Sequence, residues 1–143
     1  MWRELIRELA PDAGLGAPAE RGALRAAEEA LGRPLPSALS ELLGECDGIV
    51  GPDGLDVVWE LDRIRRDNLA FRTEPAFAEL YMPFEPLVFF GDNGGGDQFA
   101  FVRTPPRDDV FVWDHETDGR GWAANGLRDY LRRALTEAGD WYR

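Results

Sequence analysis

The chain has 143 residues, with 27 acidic and 16 basic side chains and a net charge of −11. That length suits one domain that can bury a core without a disulfide or metal staple, and the negative charge disfavours direct contact with nucleic-acid phosphates. Every basic residue is Arg, Cys46 is the only cysteine and His115 the only histidine, which excludes Schiff-base chemistry, a P-loop lysine, a Cys-x-x-Cys pair and a His-rich metal site.

In chain order, residues 2–9 place Trp2, Leu5, Ile6 and Leu9 on one helical stripe that Pro11 ends. Gly14 to Pro18 is a flexible connector, and Pro18 fits the first turn of a second helix carrying Leu24, Ala27 and Leu31, with Gly32 as its stop. Leu35-Pro36 opens a third helix with Leu39, Leu42 and Leu43 inside. A turn at Gly51 to Gly54 precedes a short strand, Leu55 to Trp59, and a helix from Glu60 to Leu69. Residues 70–86 hold three prolines among aromatics and predict an irregular stretch with a short helix around 76–80.

The second half reads as antiparallel sheet. Leu87 to Phe90 is a buried strand, Gly91 to Gly96 a turn, and Asp97 to Arg103 a strand with Phe99 and Phe101 on one face. After a turn at Thr104 to Asp108, Asp109 to Asp114 is apolar on both faces, as in a central strand covered on both sides. Asn125 caps a final helix with Leu127, Tyr130, Leu131, Ala134 and Leu135 inside, closing at Gly139. Helices first and a meander later give an α+β class: a mixed or antiparallel sheet of about 4–6 strands with helices packed around it, in a single domain over residues 1–143. No run approaches the about 20 apolar residues of a membrane span, and an acid at Glu4 stands where a signal peptide wants apolar residues, so a soluble cytoplasmic protein is expected.

Charge is distributed unevenly. No basic residue lies between Arg33 and Arg63, a gap holding Glu41, Glu45, Asp47, Asp53, Asp56, Glu60 and Asp62. A second gap, from Arg72 to Arg103, holds Glu74, Glu79, Glu85, Asp92 and Asp97. The glycine-rich run Gly91 to Asp97 lacks the following helix of a phosphate loop and the ligand spacing of a calcium loop. It reads either as a plain tight hairpin or as a rigid tip presenting Asp92, Asn93 and Asp97 to a partner. Trp59, Trp113 and Trp122 lie at or beside strand ends, where Trp serves as core or as interface anchor. His115 could act as a base with Asp114 or Glu116, but no nucleophile accompanies it. Arg128, Asp129, Arg132, Arg133 and Glu137 read as a solvated helix face with pairs at Asp129–Arg133 and Arg133–Glu137.

Taken together, these segments resemble the SUKH superfamily, specifically its Smi-one/Knr-four domain. The resemblance is carried by LGRPLP (Leu31 to Pro36), ALSELLGECDG (Ala38 to Gly48), VVWELDRI (Val57 to Ile64), LVFFGDNGGGDQFAF (Leu87 to Phe101), VFVWDHET (Val110 to Thr117) and NGLRDYLRRAL (Asn125 to Leu135), and it spans about residues 18–138, leaving 1–17 as an N-terminal helix and connector. The sequence departs from the pattern in Asp47-Gly48, where Asn-Gly is common, and in the segment 70–86. The resemblance implies an α+β fold, no catalysis and no cofactor. It implies either an immunity protein that neutralises a bacterial toxin or a regulatory scaffold similar to the fungal cell-wall synthesis regulators.

The expectation is therefore a non-catalytic protein-binding module that occludes a basic toxin domain, such as a nuclease, with an acidic surface. Asp47, Asp53, Asp56 and Glu60 from the first gap and Asp92, Asn93 and Asp97 from the hairpin are the expected contacts, with Trp59 and Trp113 as anchors. No catalytic or metal-binding residue, nucleic acid or membrane enters this reading, and oligomeric state is left open.

Overall fold

Helix α1 (Trp2–Leu9) buries Trp2 and Ile6, as its apolar spacing requires. Helix α2 (Arg21–Leu31) ends at Gly32, whose φ of 76° suits the left-handed cap that glycine adopts without strain. There the amide of Arg33 reaches back to Glu28 O at 3.1 Å. Pro18 lies three positions before this helix rather than in its first turn. Helix α3 (Ser37–Glu45) buries Leu39, Leu42 and Leu43. These assignments come from a computed structural model describing residues 1–137, 141 and 142, with the side chains of Ala78 and Glu79 outside the description. The expected helix end at Gly139 also lies outside the described residues.

The segment 14–18, expected as a flexible connector, contains a strand. β1 (Gly14–Leu15) pairs antiparallel with β2 (Ile49–Val50), which pairs with β3 (Asp56–Val58). The Asp47 amide donates to Ala17 O at 2.8 Å and the Gly16 amide to Gly48 O at 3.1 Å. A Cβ on Gly16 would stand 2.0 Å from Asp47 O, so only glycine permits this approach. Cys46, at the exit of α3, is fully buried and its thiol is unpaired; burial pushes its pKa up.

The second sheet runs β4 (Leu87–Asp92), β5 (Gln98–Arg103), β6 (Pro106–Asp114), β7 (Gly119–Ala124), in that order and antiparallel throughout. The seven described strands thus form two sheets, of three and four strands, where one sheet was expected. Strand β7 was not expected, because Gly-Arg-Gly-Trp-Ala-Ala carries almost no β-formers and owes its extension to pairing with β6. Strand β6 is an inner strand covered on both faces. Helix α6 (Leu127–Thr136) packs on one face, placing Tyr130 5.0 Å from both Phe90 and Phe99, centroid to centroid. On the other face Phe71, Tyr81 and Phe84 surround Phe89 and Trp113.

Helix α4 (Leu61–Thr73) and helix α5 (Pro75–Leu80) supply that aromatic layer with the loop behind them. The proline-punctuated loop is held by side chains from β7 and the turn before it. Arg120 donates to the carbonyls of Met82 and Pro83, and Asp118 accepts from the Met82 amide. Asn68 of α4 is buried and acts as an extra rung on β4: its amide donates to Phe89 O at 2.9 Å and its carbonyl accepts from the Phe89 amide at 2.8 Å. No helix among the described residues is long and apolar enough to cross a membrane.

Candidate functional site

The two sheets meet where β3 approaches β4. The Trp59 amide donates to Phe90 O at 2.7 Å, and the buried Tyr130 hydroxyl donates to Val57 O at 2.6 Å. Burial, with the Asp92 carboxylate nearby, raises the Tyr130 pKa far above the usual phenol range, so the hydroxyl stays a donor. Gly91 completes the junction: a Cβ there would lie 2.3 Å from Val57 O and 2.8 Å from the Tyr130 hydroxyl. The junction brings together acidic segments that are far apart in sequence.

At its centre is Arg63, in the first turn of α4. Its guanidinium lies 4.1 Å from the Trp59 ring centroid and donates to Asp56, Asp67 and Asp92 at 3.0, 3.1 and 3.0 Å. The same Asp92 oxygen accepts from the Trp59 indole at 2.9 Å, while its other oxygen accepts from the Gly94 amide at 2.8 Å. Arg66 adds a contact to Asp67 at 3.3 Å, so two cations face three carboxylates and the cluster stays net negative. A Cβ on Gly94 would strike Leu55, so the turn before β3 touches the glycine turn between β4 and β5.

The expected contact residues divide into three groups. Asp53 and Glu60 are exposed, and Asp56 is half-exposed beside Arg63. Asp47, Asp92 and Asn93 are partly buried and hold turns. Asp47 accepts from the Leu61 amide at 2.7 Å and so caps α4 across the loop. The Asn93 carbonyl accepts from the amides of Gly95 and Asp97, and its side-chain amide donates to the Tyr142 hydroxyl. Asp97, Trp59 and Trp113 are 3%, 1% and 5% exposed, which corrects their expected place on an open surface. Trp59 and Trp113 are core residues whose indole nitrogens are satisfied internally, by Asp92 and Asp118. Asp97 is turned inward onto the backbone and ring of His115. The exposed indole is that of Trp122, at 46%, with Arg133 above it.

Two clefts of about 320 Å³ each flank β3. One is lined by Leu15, Asp47, Val50, Asp56, Glu60 and Arg63; the other by Asp53, Leu55, Asp92, Asn93, Glu137 and Tyr142. A wider open depression of about 580 Å³ lies between α2 and α3 and contains none of the expected residues. Sequence reasoning missed Arg63, although its spacing to Asp67 is a helical ion-pair spacing that points to it. The pairing of His115 is also corrected: its ring nitrogen meets Asp97 at 2.7 Å, not Asp114 or Glu116. On α6, Arg133 pairs back to Asp129 at 3.1 Å, as the spacing predicts.

Residues 18–133, most of the chain, match the SMI1 / KNR4 family (SUKH-1). No curated protein matches the chain.

Proposed function

The chain belongs to the SMI1 / KNR4 family (SUKH-1), and from that membership together with the β2–β3 surface we propose that it is a non-catalytic protein-binding module. The observation that carries this reading is the composition of the β2–β3 hairpin. Val50 and Leu55 are 42% and 36% exposed there, with Asp53, Asp56 and Glu60 around them. An apolar centre with a charged rim is the usual anatomy of a protein interface. The rim is acidic, so the complementary partner is a basic protein surface.

Within the family's range of immunity proteins and regulators, the reading we favour is an immunity protein acting in the cytoplasm. Its partner would be a toxin domain whose basic, phosphate-binding cleft is filled by the hairpin. Val50 and Leu55 replace Trp59 and Trp113 as the apolar contacts in this reading. Asp53 and Glu60 steer the encounter, while Asp56 and Asp92 hold Arg63 and the Trp59 indole and so fix the shape of the surface. The alternative is a regulatory scaffold with no toxin partner.

The test is co-expression with a toxin encoded beside the gene, followed by titration of the isolated pair at two salt concentrations. The immunity reading expects survival, and affinity that falls with added salt and with Asp53→Arg plus Glu60→Arg. Killing that proceeds unchecked in co-expression would remove the immunity reading in favour of the scaffold. Affinity indifferent to both salt and the double reversal would remove the hairpin as the docking face.

A further inference from the structure

Beyond the docking surface, the glycine turn and the turn after β6 bring together a set of metal-ligand types. We propose that Asp97, Asp114 and His115 form a binding site for a divalent transition cation of the zinc type. The three side chains each offer one ligand atom, and these atoms all lie within 4.8 Å of one another. His115 Nδ1 and Asp97 Oδ1 are already 2.7 Å apart. Zinc holds nitrogen and oxygen donors at about 2.0–2.2 Å, so a shared ion needs the His115–Asp97 pair to open slightly and the Asp114 carboxylate to close on it.

The placement is built by the backbone rather than by mobile surface chains. Asp97 immediately precedes β5 and Asp114 ends the adjacent strand β6. Asp97 Oδ1 also accepts from the His115 amide at 3.2 Å, which fixes the carboxylate relative to the ring. Gly96 has φ of 110°, and a Cβ on it would lie 2.8 Å from the imidazole, so the ring occupies space that only glycine leaves open. The Asp97 side chain is almost wholly buried while His115 and Asp114 are partly open, so the cluster has a closed inner side and an approachable outer one. Asp114 makes its hydrogen bond to the Glu116 amide and no ion pair among the described residues.

The donor set selects the ion. One imidazole nitrogen with two carboxylates suits zinc, cobalt or manganese, whereas magnesium and calcium prefer oxygen alone. Three protein donors leave a position for water or for a side chain of a docked protein. Binding through Nδ1 requires that nitrogen to be free of its proton, so the ion replaces the His115–Asp97 hydrogen bond and releases a proton when Nδ1 carried it. A single histidine excludes a His-rich metal site, but one imidazole with two carboxylates is a different donor set, and the fold assembles it from residues 18 positions apart.

The full chain is titrated with Zn²⁺ by calorimetry and with Co²⁺ by visible absorption, after EDTA treatment. The proposal expects one saturable equivalent, a raised Tm in Zn²⁺, and a Co²⁺ absorption band. His115→Gln and Asp114→Asn each weaken binding by at least about tenfold. Asn at position 114 still accepts from the Glu116 amide, and urea unfolding of both metal-free variants confirms that they fold. The proposal is overturned by the lack of saturable one-to-one Zn²⁺ binding, or by binding that both folded variants retain unchanged. Either result leaves Asp97 as a buttress for the turn.

Discussion

The indole nitrogen of Trp59 donates to Asp92 Oδ2 at 2.9 Å, tying the end of β3 to the end of β4 across 33 positions of sequence. The ring itself is buried, so its N–H has no water to fall back on. Asp92→Ala leaves that donor unsatisfied and removes one of the three acceptors of Arg63. A loss of about 1–3 kcal/mol in unfolding free energy is expected, read as a lower urea midpoint. Trp59→Phe removes the donor together with its need, and an unchanged midpoint for Asp92→Ala would show that the tie carries no stability.

Asn68 makes a second, wholly buried link, because both ends of its amide bond the backbone of Phe89. Asn68→Leu keeps the volume and strands both backbone groups. It is expected to destabilise the fold by about 2–4 kcal/mol and to speed hydrogen exchange at the Phe89 amide. Exchange at that amide matching the parent protein would refute the rung.

Gly91 has no room for a methyl group, since Val57 O lies 2.3 Å from where its Cβ would be. Gly91→Ala must push the two sheets apart, at a cost of about 3 kcal/mol. Differential scanning calorimetry reads the loss. The Gly22→Ala control, at an exposed helical site with open space around it, should hold or raise the Tm.

How much of this was legible in the sequence depends on whether local pattern or distant partners fixed each element. Helix α1 and strand β4 could be read because Trp2 and Ile6, or Leu87 to Phe90, carry their own apolar signal. Strand β2 is only two residues long, too short to show alternation, and strands β1 and β7 could not be read either. Gly14, Gly119 and Gly121 have no strand preference, and their extension comes from Val50 and β6 alongside. At the candidate site, the acidic gaps were visible as composition. Their meeting around Arg63 was not, because it depends on Gly91 and Tyr130 closing two sheets against each other. The same closure turned Trp59, an expected anchor, into core.

Asp53 and Glu60 are solvent-facing and pair with no guanidinium among the described residues. Glu60→Arg should therefore leave unfolding free energy within about 0.5 kcal/mol of the parent, while Asp53→Arg also gives up the bond its carboxylate accepts from the Leu55 amide at 3.2 Å and should cost about 0.5–1 kcal/mol. Their effect on a basic partner should fall on the association rate and vanish in high salt. Stopped-flow association at low and high ionic strength checks this; a change confined to dissociation would argue against steering.

Acid should loosen the loop over the aromatic layer. Burial alone would raise the Asp118 pKa, but hydrogen bonds from the Met82 amide and Trp113 indole, with the Arg120 charge, outweigh it and hold the group below its ordinary value of 3.8. A carboxylate lowered by folding stabilises the native state above the unfolded pKa, and that contribution is lost as the pH falls through the folded one. The Tm should thus fall below about pH 4, and Asp118→Asn should flatten that part of the curve. A variant curve parallel to the parent's would place the acid sensitivity elsewhere, for example at Asp129, whose carboxylate is lowered by the Asn125 amide and by Arg133 and Arg132.

The solitary thiol of Cys46 sits at zero exposure in the seam between α3 and the first sheet, and burial keeps it protonated. An alkylating reagent can reach it only when that seam parts. Where reclosure outpaces modification, the labelling rate reports the equilibrium fraction of open molecules rather than the speed of opening. The fold therefore carries an internal tripwire, one sulfur whose trapping counts each excursion from the native state without any added probe.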